Sequence, residues 1–95
     1  MTVQSHTEIA TPQASRYLQQ LCKHFAHKLT VSFDPAQGKI TFDIGECNLR
    51  AEGEALQIDV VSPDAEQLER LKDVVIRHLE RFAFREELKV EWRDD

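Results

Sequence analysis

The sequence predicts an α+β fold, a two-layer sandwich in which two helices cover one face of an antiparallel sheet. Two stretches repeat their apolar residues at helical spacing, and six shorter stretches alternate apolar and polar residues as half-buried strands do. Such alternation gives every strand one buried and one solvated side, which is typical of antiparallel sheets. The predicted order is β-α-β-β-β-β-α-β, in a single domain over residues 1–95.

The first strand and the first helix follow one another closely. Residues 3–10 alternate loosely and predict an edge strand. Thr11 can then cap a helix whose first residue is Pro12, because proline at that position loses no needed hydrogen bond. The apolar stripe of this helix contains Ala14, Tyr17, Leu18, Leu21, Cys22, Phe25 and Leu29.

Four strands follow as a meander that we expect at the centre of the sheet. Turns at 35–38, 45–46 and 52–54 separate them, each containing glycine. Positions of one phase are apolar, and those of the other phase are polar. The inward set is Val31, Phe33, Ile40, Phe42, Ile44, Cys47, Leu49, Ala51, Leu56, Ile58 and Val60.

A second helix and a last strand complete the chain. Ser62 and Pro63 repeat the pattern of a cap followed by proline, and Asp64 and Glu66 suit the positive end of the helix dipole. The strand at 88–92 points Leu88, Val90 and Trp92 inward. The second helical stripe is Ala65, Leu68, Leu71, Val75, Ile76, Leu79 and Phe82.

Composition restricts the class of protein. The chain is 41% hydrophobic and 31% charged, which is ordinary for a globular domain of 95 residues. It contains no apolar run long enough for a membrane span and no secretory signal at its beginning. Cys22 and Cys47 lie far apart without CxxC spacing, and we expect two reduced thiols in a cytoplasmic protein.

Two signatures resemble those of a bacterial family. Residues 10–28, with the run Ser15-Arg16-Tyr17-Leu18-Gln19-Gln20-Leu21, and residues 78–88 are similar to the family called domain of unknown function 2218 (DUF2218). The resemblance implies no established activity and no catalytic residues. Some members are joined to flavin reductases of the siderophore-interacting type, which implies a link to iron acquisition. The element order is similar to that of TATA-binding-protein-like folds, an analogy that assigns no function.

A basic stretch in an acidic chain predicts the contact surface. The net charge is −5, yet no Asp or Glu lies between Glu8 and Asp34. Such a surface suits an anionic small molecule or an acidic protein partner, whereas the acidic balance disfavours nucleic acid. The predicted site is a basic helical layer formed by Arg16, Lys23, His24, His27, Arg81 and Arg85.

The arginines of the second helix fall into two groups. Arg70 and Arg77 follow carboxylates by four residues, as ordinary surface pairs do. Arg81 and Arg85 have no carboxylate at that spacing and are the freer two. A solvated helix face is the alternative interpretation of these arginines.

A histidine-based metal or haem site is the alternative function. His24 and His27 are three residues apart, and His24 and His78 occupy similar edges of the two helical stripes. If the helices lie side by side, His24 and His78 line the groove between them. Two half-buried aromatic rings that pack the groove would satisfy the same pattern.

The sequence offers no recognisable catalytic set. Cys47 and Cys22 both fall in buried stripes, away from any base, and neither a Gly-rich phosphate loop nor a GxSxG motif is present. No cofactor is therefore assigned, and a small enzyme is the least favoured class. A strand at either edge of the sheet could pair with a second copy, so a homo-oligomer stays open.

Overall fold

The computed structural model describes residues 2–83 and 86–94 and confirms the predicted α+β class and element order. Two helices and six strands follow one another as predicted. Their bounds are β1 Val3–Ala10, α1 Ala14–Phe25, β2 Thr30–Phe33, β3 Gln37–Phe42, β4 Gly45–Glu52, β5 Ala55–Ser62, α2 Ala65–Phe82 and β6 Arg93–Asp94.

The strands form one sheet in the order β2-β3-β4-β5-β1-β6, with antiparallel pairing throughout. The meander is consecutive, as predicted, but β2 lies at one edge, so that β4 and β5 form the centre. Strand β1 pairs along its whole length with β5. Its other side pairs with β6 at Ser5 and His6, so β1 is not the edge strand that was predicted, although the two-residue β6 covers only part of it.

The core lies between the two helices and one face of the sheet. Leu18 and Leu21 of α1 and Leu71 and Leu79 of α2 are fully buried, with 0% exposure. They share one cluster with the inward side chains of the meander, and burial of each large apolar side chain contributes about 1.5–3 kcal/mol. The buried meander residues are Ile40, Cys47, Leu49, Leu56, Ile58 and Val60.

Phe33 departs from the predicted burial pattern. It belongs to the inward phase of the alternation, but it keeps 37% of its surface exposed. Strand β2 is four residues long and lies at the edge of the sheet, where no further strand covers its outer side.

Both helices begin later than predicted. Helix α1 starts at Ala14 rather than Pro12, and α2 starts at Ala65 after Asp64, whose carboxylate accepts from Gln67 N at 2.8 Å. Both hydroxyls that were expected to cap donate to distant acceptors, and that of Thr11 also accepts from Gln13 N at 3.1 Å. Thr11 donates to Glu86, and Ser62, the last residue of β5, donates to the carbonyl of Ile44.

The C-terminal segment follows the predicted alternation without forming the predicted strand. Leu88, Val90 and Trp92 are half-buried against the core, with exposed residues between them, but only Arg93 and Asp94 pair with β1. Trp92 lies against Lys72, whose Nζ is 5.5 Å from the ring centroid. Lys72 is 7% exposed and interrupts the apolar stripe of α2, which the sequence pattern did not predict.

Glu86 ties this segment to the beginning of α1. Its carboxylate accepts from the Thr11 hydroxyl at 3.0 Å and from the Tyr17 hydroxyl. Burial first, and then the hydrogen bond to Glu86, raises the pKa of Tyr17 above its ordinary value. A charge-assisted contact of this kind connects residues that lie 69 positions apart in the chain.

Two glycines with positive φ offer a matched test of the packing between β4 and β5. A Cβ added to Gly45 would lie 2.1 Å from the Val61 carbonyl oxygen, whereas one added to Gly53 would meet nothing within 4 Å. We expect Gly53→Ala to cost about 1–2 kcal/mol from backbone strain alone. Gly45→Ala should cost about 1–3 kcal/mol more, because the backbone must also move apart.

Chemical denaturation of both variants measures the difference. Gly53→Ala is the control, since φ is also positive there, at 60° against 150° for Gly45. Equal free energies of unfolding for the two variants would contradict the close approach at Gly45.

The contact between Tyr17 and Glu86 predicts an alkaline loss of stability. Because the pKa of Tyr17 is raised in the folded state, its contribution is complete below the unfolded value of 10.0 and is lost as pH rises through the folded value. We expect Tyr17→Phe to lower the free energy of unfolding by about 1–3 kcal/mol at neutral pH. This deficit should shrink as pH rises above 10.0.

Denaturation of wild type and variant at matched pH values isolates the effect, because both proteins share the other groups that titrate in alkali. Tyr17 is the single tyrosine, so tyrosinate absorbance follows its ionisation directly. A deficit that stays constant across this range would refute the role assigned to the tyrosine.

Candidate functional site at the helix ends

The structure separates the predicted site residues into two groups. Arg16 and Lys23 line a shallow depression of about 530 Å³ along α1. His24 and Arg81 lie in the last turns of α1 and α2, and His27 lies in the turn that follows α1. Arg85, the remaining predicted residue, lies outside the described residues.

His24 and His78 meet in the groove between the helices, as their positions beside the apolar stripes predicted. Their ring centroids are 4.9 Å apart. The Nδ1 of His78 donates to the carbonyl of Val74 at 2.7 Å, since a carbonyl can only accept. Phe25 and Phe82 pack edge-on against His24, at 5.1 and 5.9 Å between ring centroids. The two imidazoles therefore belong to an aromatic cluster at the mouth of the groove.

Positive groups surround this histidine pair. The pKa of His24 is lowered, first by desolvation and then by the charges of His78, Arg81, His27 and Lys28. We call these five residues (His24, His27, Lys28, His78 and Arg81) the helix-end cluster. The C-terminal ends of α1 and α2 offset part of the repulsion, because a helix dipole is negative there.

Arg81 differs from the other arginines of α2. Arg70 pairs with Glu66 and Arg77 pairs with Asp73, each at 3.3 Å, which confirms the two surface pairs. Within residues 2–83 and 86–94, no carboxylate lies within 4.0 Å of Arg81. Its guanidinium is therefore available to a ligand from outside the chain.

The depression beside α1 is lined by polar side chains, and some of them already form hydrogen bonds within the chain. Gln19 donates to Ser15 at 3.1 Å, and Ser15 donates to the carbonyl of Pro35 at 2.6 Å. The Oε1 of Gln20 is buried, and no described residue forms a hydrogen bond with it. Arg16 and Lys23 extend the positive surface along α1, away from the histidine pair.

Metal and nucleophile chemistry receive little support from this geometry. In the described part of the chain, no three His, Cys, Asp or Glu residues are grouped to hold a metal ion. Two imidazoles supply half of a tetrahedral set, and the neighbouring cations oppose a further positive ion. Burial raises the pKa of Cys22 to about 11 and that of Cys47 higher still, so both thiols stay protonated at neutral pH.

The predicted ligand-binding set left out two residues of this arrangement, Lys28 and His78. His78 was predicted to line the groove with His24, from its position at the edge of the second stripe. The role of Lys28 depends on the turn after α1, which helical periodicity does not reach.

These features define the class as a two-layer α+β domain with a cationic, histidine-bearing helix end. The sequence model of a bacterial family, described as "Uncharacterized protein conserved in bacteria (DUF2218)", matches residues 6–93. The chain belongs to this family, as its two signatures indicated.

Solved structures share the fold of this chain. The NMR structure of PA4090 from Pseudomonas aeruginosa is similar at 35% identity and a TM-score of 0.81, with 96% of this chain and 95% of that chain covered. The de novo designed protein Foldit4 shares the fold alone, at 14% identity and a TM-score of 0.54, over 100% of this chain and 97% of that chain. The search of curated proteins found no match.

No helix in the described part of the chain combines the length and apolar character that crossing a membrane requires.

The lowered pKa of His24 predicts an acid-sensitive helix end. The unfolded state binds this proton first, so stability should fall as pH drops below the ordinary value of 6.5 and should level off below the folded value. We expect His24→Gln to reduce this acid slope between about pH 5 and 7. Thermal melts across that range measure it.

His6→Gln is the matched control, because it removes an imidazole from β1, on the far side of the sheet from the helices. That variant should keep the part of the slope that His24 contributes. An unchanged acid slope in His24→Gln would show that the cluster does not oppose protonation of this ring.

Proposed function

We propose that this chain is a small binding module that holds an anionic ligand at the helix-end cluster. One observation supports it above the others: within residues 2–83 and 86–94, the charged groups that act on the pKa of His24 are all cationic, on a chain whose net charge is −5. Like charges that converge raise the energy of the free protein. An anion bound among them removes that repulsion.

The donors of the cluster suit oxygen anions. Arg81 offers a planar fork of N–H groups that matches a carboxylate or a phosphate. His24 and His78 add ring N–H groups when they are protonated, and Lys28 adds a mobile positive charge. Because an anion favours the protonated imidazoles, binding should strengthen as pH falls toward the ordinary histidine pKa.

A carboxylate-rich iron chelate is the ligand class that we favour. Such chelates carry several negative oxygens, which the cluster can contact from α1 and α2 together. The link to iron handling comes from the resemblance to family members joined to siderophore-interacting flavin reductases. An acidic protein segment offers the same carboxylates and is the alternative occupant of this surface.

Charge reversal at Arg81 tests the proposal. We expect Arg81→Glu to weaken the binding of ferric citrate about tenfold, since one attraction becomes a repulsion, equivalent to about 1.4 kcal/mol. Binding by the wild type should also weaken as ionic strength rises, because exposed charges are screened within about 10 Å at 0.1 M salt. Isothermal titration calorimetry measures both effects.

Arg77→Glu is the matched control. It makes the same charge change one turn earlier on α2, at a residue that Asp73 already pairs. Equal binding by Arg81→Glu and the wild type would refute an anion site at the cluster. Binding of an acidic peptide, such as a short poly-glutamate, in place of citrate would assign the surface to a protein partner.

A further inference from the structure

The open face of the sheet carries a second, separate arrangement of polar side chains. Both helices pack on the other face, so the outward residues of β3, β4 and β5 meet solvent. Strand register places them in two adjacent rows of three. These six residues, the open-face site, are Lys39, Asn48 and Asp59 in one row and Gln37, Arg50 and Gln57 in the other.

This site is concave rather than flat. A cavity of about 580 Å³ lies over the two rows, within the range of about 300–1,000 Å³ typical of small-molecule sites. Asn48 and Gln57 are half-buried, and Arg50 and Asp59 are exposed. Phe33 lies at the rim of the cavity, but its position opposite Gly38 places its side chain on the helical side of the sheet.

Charges around the cavity balance one another. Lys39 and Arg50 are positive, whereas Asp34 and Asp59 are negative, and Lys39 is already paired with Glu46 at 3.5 Å. Asp34 is occupied by its own turn, where its carboxylate accepts from Ala36 N at 2.7 Å and from Gln37 N at 2.9 Å. An anion would meet Asp59 and a cation would meet Arg50, so the site favours a neutral ligand.

The side chains at the centre of the cavity still have hydrogen bonds to offer. In the described part of the chain, no hydrogen bond engages the side chains of Asn48, Gln57 or Arg50. Each amide presents a donor and an acceptor together, which is the combination that a hydroxyl group satisfies in both directions. Opposite positions on paired strands lie about 5 Å apart and diagonal ones about 7–8 Å, a spacing on the scale of one sugar ring.

We propose that the open-face site binds a neutral saccharide. Hydroxyls would exchange hydrogen bonds with Asn48, Gln57 and Arg50. The largely polar lining suits a polyhydroxylated molecule better than an apolar one. This site shares no residue with the helix-end cluster and does not depend on the anion proposal.

A titration followed by ¹H–¹⁵N NMR tests the inference. The probes are glucose, galactose, N-acetylglucosamine and maltotriose, each up to about 20 mM, above the roughly millimolar dissociation constant that a few hydrogen bonds support. We expect at least one of them to shift amide signals of β3, β4 and β5 and of Phe33. Gln57→Ala should raise its dissociation constant about fivefold.

Thr41→Ala is the control, because Thr41 lies on the same face in the neighbouring row, opposite Glu46 and outside the cavity lining. It should bind the sugar as the wild type does, and so should Arg81→Glu. Dispersed spectra of the variants show that they are folded. No shift with any of the four sugars would overturn the proposal. Shifts on this face that grow with protein concentration in the absence of sugar would also overturn it, since they report a second copy there.

Discussion

The burial of a single face of the antiparallel sheet is the constraint on which the rest of the structure depends. Leu18 and Leu21 from α1 and Leu71 and Leu79 from α2 fill the same cluster as Ile58 and its neighbours on the sheet. This packing places the helices side by side and brings their C-terminal turns together. It also leaves the opposite sheet face without a covering layer, so the molecule has two surfaces of different chemistry.

Sequence periodicity predicted the parts of the fold that this burial controls. Alternation identified the inward residues of the meander, and helical spacing identified both stripes, because each pattern records which side meets the core. The helix starts were wrong for a physical reason. Thr11 accepts from Gln13 N at 3.1 Å, but Pro12 and Gln13 form a turn before α1, and Asp64 rather than Ser62 caps α2. The hydroxyls of Thr11 and Ser62 donate to Glu86 and to the Ile44 carbonyl, and local sequence contains no sign of partners so distant.

The candidate sites also divide into one that the burial pattern predicts and one that depends on distant partners. His24 and His78 were predicted to share a groove, since both flank apolar stripes that had to face one core. The open-face site was not predicted. Gln37 was assigned to a turn, and the other residues were recognised as the solvated phase of each strand. Their grouping requires the register that pairs Asn48 with Asp59 and Arg50 with Gln57. A shift of two residues would keep these side chains on the same face but give them other partners, and alternation alone does not distinguish the two registers.

The C-terminal segment covers Lys72, the buried charged residue that interrupts the apolar stripe of α2. A buried ammonium group is costly without partners, and this one lies 5.5 Å from the ring centroid of Trp92 and 3.4 Å from Glu69. Trp92 reaches that position because Glu86 anchors the same segment to Thr11 and Tyr17 at the start of α1. The polar groups of α1, α2 and the C-terminal segment therefore form one connected support on the helical side of the sheet. The cavity on the open face is lined by residues 32–59 and lies outside that support.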